Sequence, residues 1–197
     1  LKNETTKSYF GWEWEVEAKH NPKDIARIAN QTGNGLFYCK HDGSIRNGCE
    51  IVTHPMTYNY FRRNSKMFQE MFDKIKKAGG HSLDMDNTGV HVHISREAFD
   101  GADHIINFTR CISQAIDYSE FISLRKGNRY AHYRKNSTSD IKKELEGSVS
   151  RDRYRAVNFC NRNTIEVRIY KGTISFDAIL MYLQHIICCM EFSKTMT

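Results

Sequence analysis

The sequence predicts an α+β fold in which helices pack on one face of a mostly antiparallel sheet. Segments that alternate apolar and polar residues, as strands do, are intermixed with segments that have a helical apolar period. Several strand segments are joined by tight turns, which favour antiparallel pairing. A chain of 197 residues suits a single hydrophobic core, so we expect one domain over residues 1–197.

In the first half of the chain, residues 8–18 have the alternation of a strand. Asn21 and Pro22 predict the start of a short helix, because Asn caps helices and Pro suits the first helical position. The other predicted elements of this half are strands at residues 36–39 and 49–53 and a helix over residues 60–78.

In the second half, a loop at residues 84–89 leads into a strand that contains His91 and His93. Residues 124–152 are basic and lack a clear period, so we predict a mobile loop with one short helix near 140–146. Irregular segments of this length are often functional. The other predicted elements are a helix over 102–122, a hairpin of residues 155–159 and 164–170, and a helix over 175–192.

Charge and cysteine content limit the classes of function. The net charge of +6 favours polyanionic partners, either nucleotide phosphates or nucleic acid. No apolar run is long enough to span a membrane. The six cysteines include no Cys-x-x-Cys pair, which argues against a zinc–cysteine site and indicates free thiols in a reducing cytoplasm.

Three predicted strands each carry a pair of chemically active side chains on one face. Because alternate residues of a strand point to the same face, each pair projects together, and a shared sheet would bring the pairs to one surface. Carboxylates and imidazoles bind divalent cations, and guanidinium matches phosphate. The pairs are Glu13 and Glu15, His91 and His93, and Glu166 and Arg168.

Each of these features also has a plainer interpretation. Glu13 and Glu15 suit a strand with one solvated face, and Glu166 with Arg168 suits an exposed charge pair. Asp42 and Glu50 are explained by a turn followed by a strand. The arginines at 151, 153 and 155 suit either a solvated basic loop or a group that gathers nucleotide phosphates.

Five short motifs, in order over residues 9–175, resemble the amidoligase family. This family belongs to the carboxylate–amine ligases related to glutamine synthetase and glutamate–cysteine ligase. The motifs are Gly11-x-Glu13-x-Glu15, Asp42-Gly43-Ser44-Ile45 with residues 48–55, Thr88-Gly89-Val90-His91-Val92-His93, Arg153-Tyr154-Arg155-Ala156-Val157-Asn158, and Thr164-Ile165-Glu166-Val167-Arg168 with Gly172-Thr173.

The resemblance implies a curved, glutamine synthetase-like sheet that binds ATP and two or more Mg²⁺ ions, for which Mn²⁺ could substitute. The roles that it implies are metal binding for Glu13, Glu15, His91 and Glu166; nucleotide binding for His93, Arg153, Arg155 and Arg168; catalysis for Arg168, Glu50 and Arg155; and substrate binding for Asp42 and Glu50.

The implied reaction joins a carboxylate to an amine through an acyl phosphate, with small molecules or peptides as substrates. One departure from glutamine synthetase concerns an arginine two residues before the late glutamate. Thr164 stands there in this chain, and Arg162 is a nearby substitute. Because the chain is short, a second copy of it could complete the site.

Two other functions fit the same residues. His91-Val92-His93 is also typical of metal-dependent nucleases that nick single-stranded DNA with a catalytic tyrosine. The available tyrosines are Tyr130, Tyr133, Tyr154 and Tyr182. This hypothesis leaves Glu13, Glu15, Glu166 and Arg168 without a role, so nucleic acid is a less favoured partner. The third class is a nucleotide-binding relative that has lost catalysis.

Overall fold

The computed structural model describes residues 7–43, 45, 47–82, 88–134, 137–149 and 152–196. Over these residues the chain is an α+β protein with one open sheet of seven strands and with seven α-helices. Every pairing between the named strands is antiparallel. The predicted fold class is therefore confirmed, whereas the likeness to glutamine synthetase stays a prediction.

The elements alternate along the chain much as the sequence predicts. The strands are β1 (Phe10–Ala18), β2 (Phe37–Lys40), β3 (Gly48–Thr53), β4 (Gly80–His81), β5 (Gly89–Ser95), β6 (Val157–Asn158) and β7 (Thr164–Lys171). The helices are α1 (Pro22–Gly33), α2 (Tyr58–Arg63), α3 (Ser65–Lys77), α4 (Ala102–Gln114), α5 (Ile116–Ser123), α6 (Thr138–Leu145) and α7 (Phe176–Lys194).

The strand order places β1 and β5 in the middle of the sheet. The order is β2-β3-β1-β5-β7-β6, with β4 paired to the end of β1. Each of these two strands is hydrogen-bonded to a neighbour on both sides, so two pairings fix its register. Side chains that project from β1 and β5 are therefore held by rigid backbone rather than by loops.

Two tryptophans fix which face of β1 is apolar. Trp12 and Trp14 are fully buried, and their rings lie 5.0 Å from Phe61 of α2 and 5.3 Å from Phe72 of α3, respectively. Aromatic side chains of this size contribute much of the apolar area that a core buries. Because successive residues alternate between faces, Glu13 must project from the opposite face.

An irregularity in β7 changes the direction of its later side chains. Val92 pairs with Val167 and Val90 pairs with Tyr170, so Arg168 and Ile169 both lie opposite the single residue His91. This is the pattern of a β-bulge, which is common beside active sites. After the bulge, the Tyr170 ring stacks on Tyr182 of α7 at 4.4 Å.

Two predicted helices are each divided in the structure. The predicted helix over 60–78 is wrong as one element, because α2 and α3 meet at Asn64, whose side chain donates to the Tyr60 carbonyl at 2.8 Å. Such side-chain bonds compete with helical ones. The predicted helix over 102–122 divides at Ala115, whose ψ is 58°. The apolar period continues through both breaks and therefore did not reveal them.

The basic segment from residue 124 to residue 152 contains the predicted short helix. This helix, α6, begins at Thr138, two residues earlier than expected, because Ser137 and Asp140 form a capping box. The predicted mobility of the segment stays a prediction. Three sequence-based predictions fall on residues outside the described ranges, namely Ser44, the loop at 84–87 and Arg151.

Two further predictions concern the membrane and the thiols. Over the described ranges, no helix combines the length and the apolar character that crossing a bilayer requires. All six cysteines are free thiols, as predicted.

We predict that His185 makes the fold sensitive to acid. Burial lowers the pKa of His185 from 6.5 to about 4, and its Nδ1 lies 2.9 Å from the Tyr170 hydroxyl. Between these pH values the unfolded chain binds a proton that the folded chain does not, so stability falls as pH falls through this window. The loss is about 3 kcal/mol for a shift of this size.

Urea unfolding at pH 7 and pH 4 measures how much His185 contributes to the pH dependence of the free energy of unfolding. His185→Gln should lose about 3 kcal/mol less than the wild type over that range, because it has no imidazole to titrate. Equal acid sensitivity in both proteins would contradict this assignment.

Candidate active site

The strand register brings the predicted site residues to one face of the sheet. Glu13 of β1 lies opposite His91 of β5, and His93 of β5 lies opposite Glu166 of β7. On the other side of β1, Glu15 lies opposite Glu50 of β3. Partners in register project on the same face, so these side chains meet without any loop rearrangement.

Glu13, His91 and Glu166 form a group that could hold a metal ion, which we call the metal-type group. One ligand atom from each lies within 4.8 Å of the others. The Nδ1 atom of His91 is 3.6 Å from Glu13 Oε2 and 3.7 Å from Glu166 Oε1. Two carboxylates and an imidazole are a donor set that divalent cations accept.

One buried atom beside this group supports cation binding. His93 Nε2 is buried, has no hydrogen-bond partner within the described part of the chain, and lies 3.5 Å from Glu13 Oε1. Buried polar atoms normally have partners, and each exception calls for an explanation. An ion bound nearby would supply the missing interactions, so the residues present fit a divalent cation.

Glu15 lies next to this group but is held by other contacts. Its Oε2 accepts a hydrogen bond from the backbone N–H of Gly89 at 2.6 Å, and its Oε1 is 4.0 Å from His91 Nε2. A Cβ on residue 89 would lie 2.8 Å from Arg125 Nη1, so a glycine at this position lets the Arg125 guanidinium lie close to the backbone. The predicted role of Glu15 as a metal ligand stays a prediction.

His93 faces a second cleft beside Glu13. Its Nδ1 lies 3.1 Å from the Thr164 hydroxyl, and its Nε2 lies 3.5 Å from Glu13 Oε1. Thr164 thus orients His93, whereas Arg162 is exposed. This cleft has a volume of about 380 Å³, and the rings of Tyr38 and His54 are among its largely apolar lining.

Glu166 and Arg168 are each oriented by a neighbour. Arg168 Nη1 lies 2.5 Å from Glu166 Oε1 and 3.3 Å from His91 Nδ1, and its Nε donates to the Tyr130 carbonyl at 3.2 Å. The Asn158 amide donates to Glu166 Oε2 at 2.9 Å. The guanidinium therefore lies at the metal-type group, where it can also contact an anion.

The carboxylates differ in their affinity for protons. Burial and the hydrogen bond with Glu13 raise the pKa of Glu50 to about 8. Burial also acts to raise the pKa of Glu13, but its polar contacts with His91, His93 and Glu50 outweigh burial and hold that pKa below its usual value. Glu50 therefore binds a proton more readily than Glu13 does.

The main cleft has an acidic wall and a basic wall. Its volume is about 240 Å³, and its acids come from β1, from β3 and from Asp42 after β2. The basic segment supplies Arg125 and Tyr130, and Arg153 and Tyr154, which directly follow it, line the same wall. The residues that line the cleft are Glu13, Glu15, Lys40, Asp42, Glu50, His91, Arg125, Tyr130, Arg153, Tyr154 and Arg168.

Arg155 has a different position from the other predicted phosphate-binding residues. It is absent from the described lining of both clefts, and its guanidinium forms a buried ion pair with Glu144 of α6. This pair attaches the basic segment to the strand β6 region. The predicted catalytic and nucleotide-binding roles of Arg155 stay predictions.

Sequence reasoning missed three contributors to the site. Lys40 Nζ lies 3.1 Å from Glu50 Oε1 and 3.4 Å from Glu13 Oε1, Asn158 holds Glu166, and the Tyr130 carbonyl holds Arg168. Lys40 and Asn158 could have been found by assuming the hairpin registers, because Lys40 pairs with Glu50 and Asn158 pairs with Glu166. The Tyr130 carbonyl leaves no signal in a sequence.

We predict that Arg155 acts mainly through its ion pair. Arg155→Met leaves Glu144 buried without its cationic partner, which should cost about 3–5 kcal/mol of folding stability. The double variant Arg155→Met/Glu144→Met should recover most of that loss, because apolar pairs often replace buried ion pairs well. Denaturant unfolding of both variants gives the coupling, and equal losses in both would contradict the structural role.

Comparison with known proteins relates the chain to one protein family. Residues 26–188 match the protein family described as "Putative amidoligase enzyme". The match covers most of the chain, begins after β1, and includes His91, Glu166 and Arg168. No curated protein matches the chain. From this match, the chain belongs to the amidoligase family.

Proposed function

We propose that the protein is an ATP- and Mg²⁺-dependent ligase that joins a carboxylate to an amine. The observation that carries this proposal is the group Glu13, His91 and Glu166 with the Arg168 guanidinium beside it. A cation site next to a fixed guanidinium suits a polyphosphate, because both neutralise phosphate charge. The family match supports the ligase class.

The proposed reaction has two steps. An oxygen of the substrate carboxylate attacks the γ-phosphorus of ATP, so that ADP leaves and an acyl phosphate forms. The nitrogen of an amine then attacks the acyl carbon, the amide bond forms, phosphate leaves, and the nitrogen loses a proton. A bound divalent cation would neutralise charge on the transferring phosphoryl group.

Arg168 has the geometry to stabilise the first step. Its guanidinium is anchored through Nε to the Tyr130 carbonyl and through Nη1 to Glu166. Anchored donors stabilise developing charge without a cost of reorientation at the moment of reaction. Arg153 lines the same cleft on the basic wall and suits a second phosphate or carboxylate contact.

Glu50 is the proposed proton acceptor of the second step. Its pKa is raised to about 8, first through burial, and a group whose pKa lies near the working pH is well matched to proton transfer. Glu50 and Asp42 both line the cleft on its acidic wall, where an incoming ammonium group would be attracted. We assign both residues to the amine substrate.

The nucleotide and the amine then occupy different sides of the Glu13 carboxylate. His93 and the largely apolar cleft of Tyr38 and His54 lie on one side, which suits a nucleoside, while the polar cleft with Glu50 lies on the other. The carboxylate and amine belong to small molecules or peptides, and a second copy of the chain is a candidate partner. The free thiols suit a cytoplasmic protein.

The competing DNA-nicking hypothesis has less support from the site. His91 belongs to the metal-type group, whereas His93 is bound to Thr164 and is not a member of it. Tyr182 is buried against Tyr170, so it is a poor nucleophile candidate. A non-catalytic nucleotide-binding relative would have the same binding properties and would differ only by lacking turnover.

We predict that Glu13→Gln abolishes metal-dependent ATP binding. The substitution removes one of three ligand groups and keeps the side-chain size, so the fold should persist. Glu17→Gln is the matched control, because Glu17 lies on the same strand but contacts His81 at 3.5 Å instead. Calorimetric titration of each variant with ATP, with and without Mg²⁺, measures the effect.

The wild type and Glu17→Gln should bind ATP only with Mg²⁺, and Glu13→Gln should lose at least about tenfold in affinity, equivalent to about 1.4 kcal/mol. Unchanged affinity in Glu13→Gln would refute the metal assignment. Metal-dependent binding without ATP turnover, over a wide panel of carboxylates and amines, would favour the non-catalytic relative.

A further inference from the structure

Lys40 lies where a second cation of the site would bind. Its Nζ is 3.1 Å from Glu50 Oε1 and 3.4 Å from Glu13 Oε1, so one ammonium group bridges two carboxylates. The approach to Glu50 is an ion pair outside hydrogen-bond geometry, and Glu50 Oε1 has no donor within the described chain. Glu50 Oε1 is therefore held by the lysine charge alone.

The position of Lys40 follows from strand pairing. Lys40 of β2 lies opposite Glu50 of β3, which in turn lies opposite Glu15 of β1. Partners in register share a face, so the lysine stem always emerges beside these acids. Its charge cannot leave the acidic wall by a change of loop conformation, because β2 is a strand of the sheet.

The two oxygens of Glu13 face two different partners. Oε2 faces His91 Nδ1, within the metal-type group with Glu166, while Oε1 faces Lys40. In a site with two metal ions, a carboxylate often bridges both of them. Here the same carboxylate would bridge one metal ion and one ammonium group.

The remaining acids of the site have partners of their own in this chain. Among the described residues, Glu13, His91 and Glu166 are the only three metal-type side chains with ligand atoms so close together. Glu15 gives one oxygen to the Gly89 N–H, and Glu50 faces Lys40. Lys40 already supplies a positive charge to these acids, so a second divalent ion would gain less by binding them.

We infer that Lys40 replaces a second metal ion, so that this chain binds one divalent cation where the resemblance implies two or more. The inference depends on the proposed function only for the presence of the first ion. Lys40 thus acts as a built-in cation: it neutralises Glu50 and one oxygen of Glu13, and a second ion is unnecessary.

The test counts Mn²⁺ ions by electron paramagnetic resonance, with Mn²⁺ alone as the probe. The wild type should bind one Mn²⁺ per chain, and Lys40→Met should bind two, because its acids lose their cation. Two ions in one site lie about 3.5–4 Å apart, so their spins should couple in the variant spectrum at low temperature. Lys40→Arg keeps the charge and should bind one ion.

Lys23→Met is the matched control, because Lys23 is an exposed lysine of α1, and it should bind one ion like the wild type. Mn²⁺ should also raise the melting temperature of Lys40→Met more than that of the wild type, which confirms that the variant is folded. Two ions in the wild type, or one in Lys40→Met, would overturn the inference and leave the proposed function intact. No bound Mn²⁺ in any of these proteins would refute both.

Discussion

The site depends on the register between strands β1 and β5. Glu13 meets His91 because these residues are partners in an antiparallel pair, and Trp12 and Trp14 hold β1 in that register from the other face. A slip of one residue would exchange the two faces of the strand. It would bring the tryptophans to the polar side and the glutamates into the core. The register that packs the tryptophans into the core is therefore the same register that brings the site residues together.

The same arrangement has an electrostatic cost. Four carboxylates project from one face of neighbouring strands, namely Glu13, Glu15, Glu50 and Glu166. Like charges at this spacing repel, and the chain offsets the repulsion with Lys40 and Arg168. Proteins commonly accept such destabilisation where a site must bind charged ligands. A bound cation would reduce this repulsion, so cation binding should also stabilise the fold.

Sequence periodicity predicted the strands and their polar faces, because alternation of apolar and polar residues depends only on local geometry. Convergence of Glu13, His91 and Glu166 followed once the strands were assumed to share a sheet. The bulge at Arg168, the helix breaks at Asn64 and Ala115, and the Glu144–Arg155 pair depend on contacts between distant residues. Periodicity carries no information about such contacts, whereas Lys40 was missed because the register of the β2–β3 hairpin was not assumed.

The central claim is that Glu13, His91 and Glu166 together bind one divalent cation. Anomalous diffraction from crystals grown with Mn²⁺ and a non-hydrolysable ATP analogue tests it directly. The account predicts an anomalous peak in contact with Glu13, His91 and Glu166, with the phosphates of the analogue beside it. A bound analogue without an anomalous peak at these three side chains, or with the metal held elsewhere, would contradict the account.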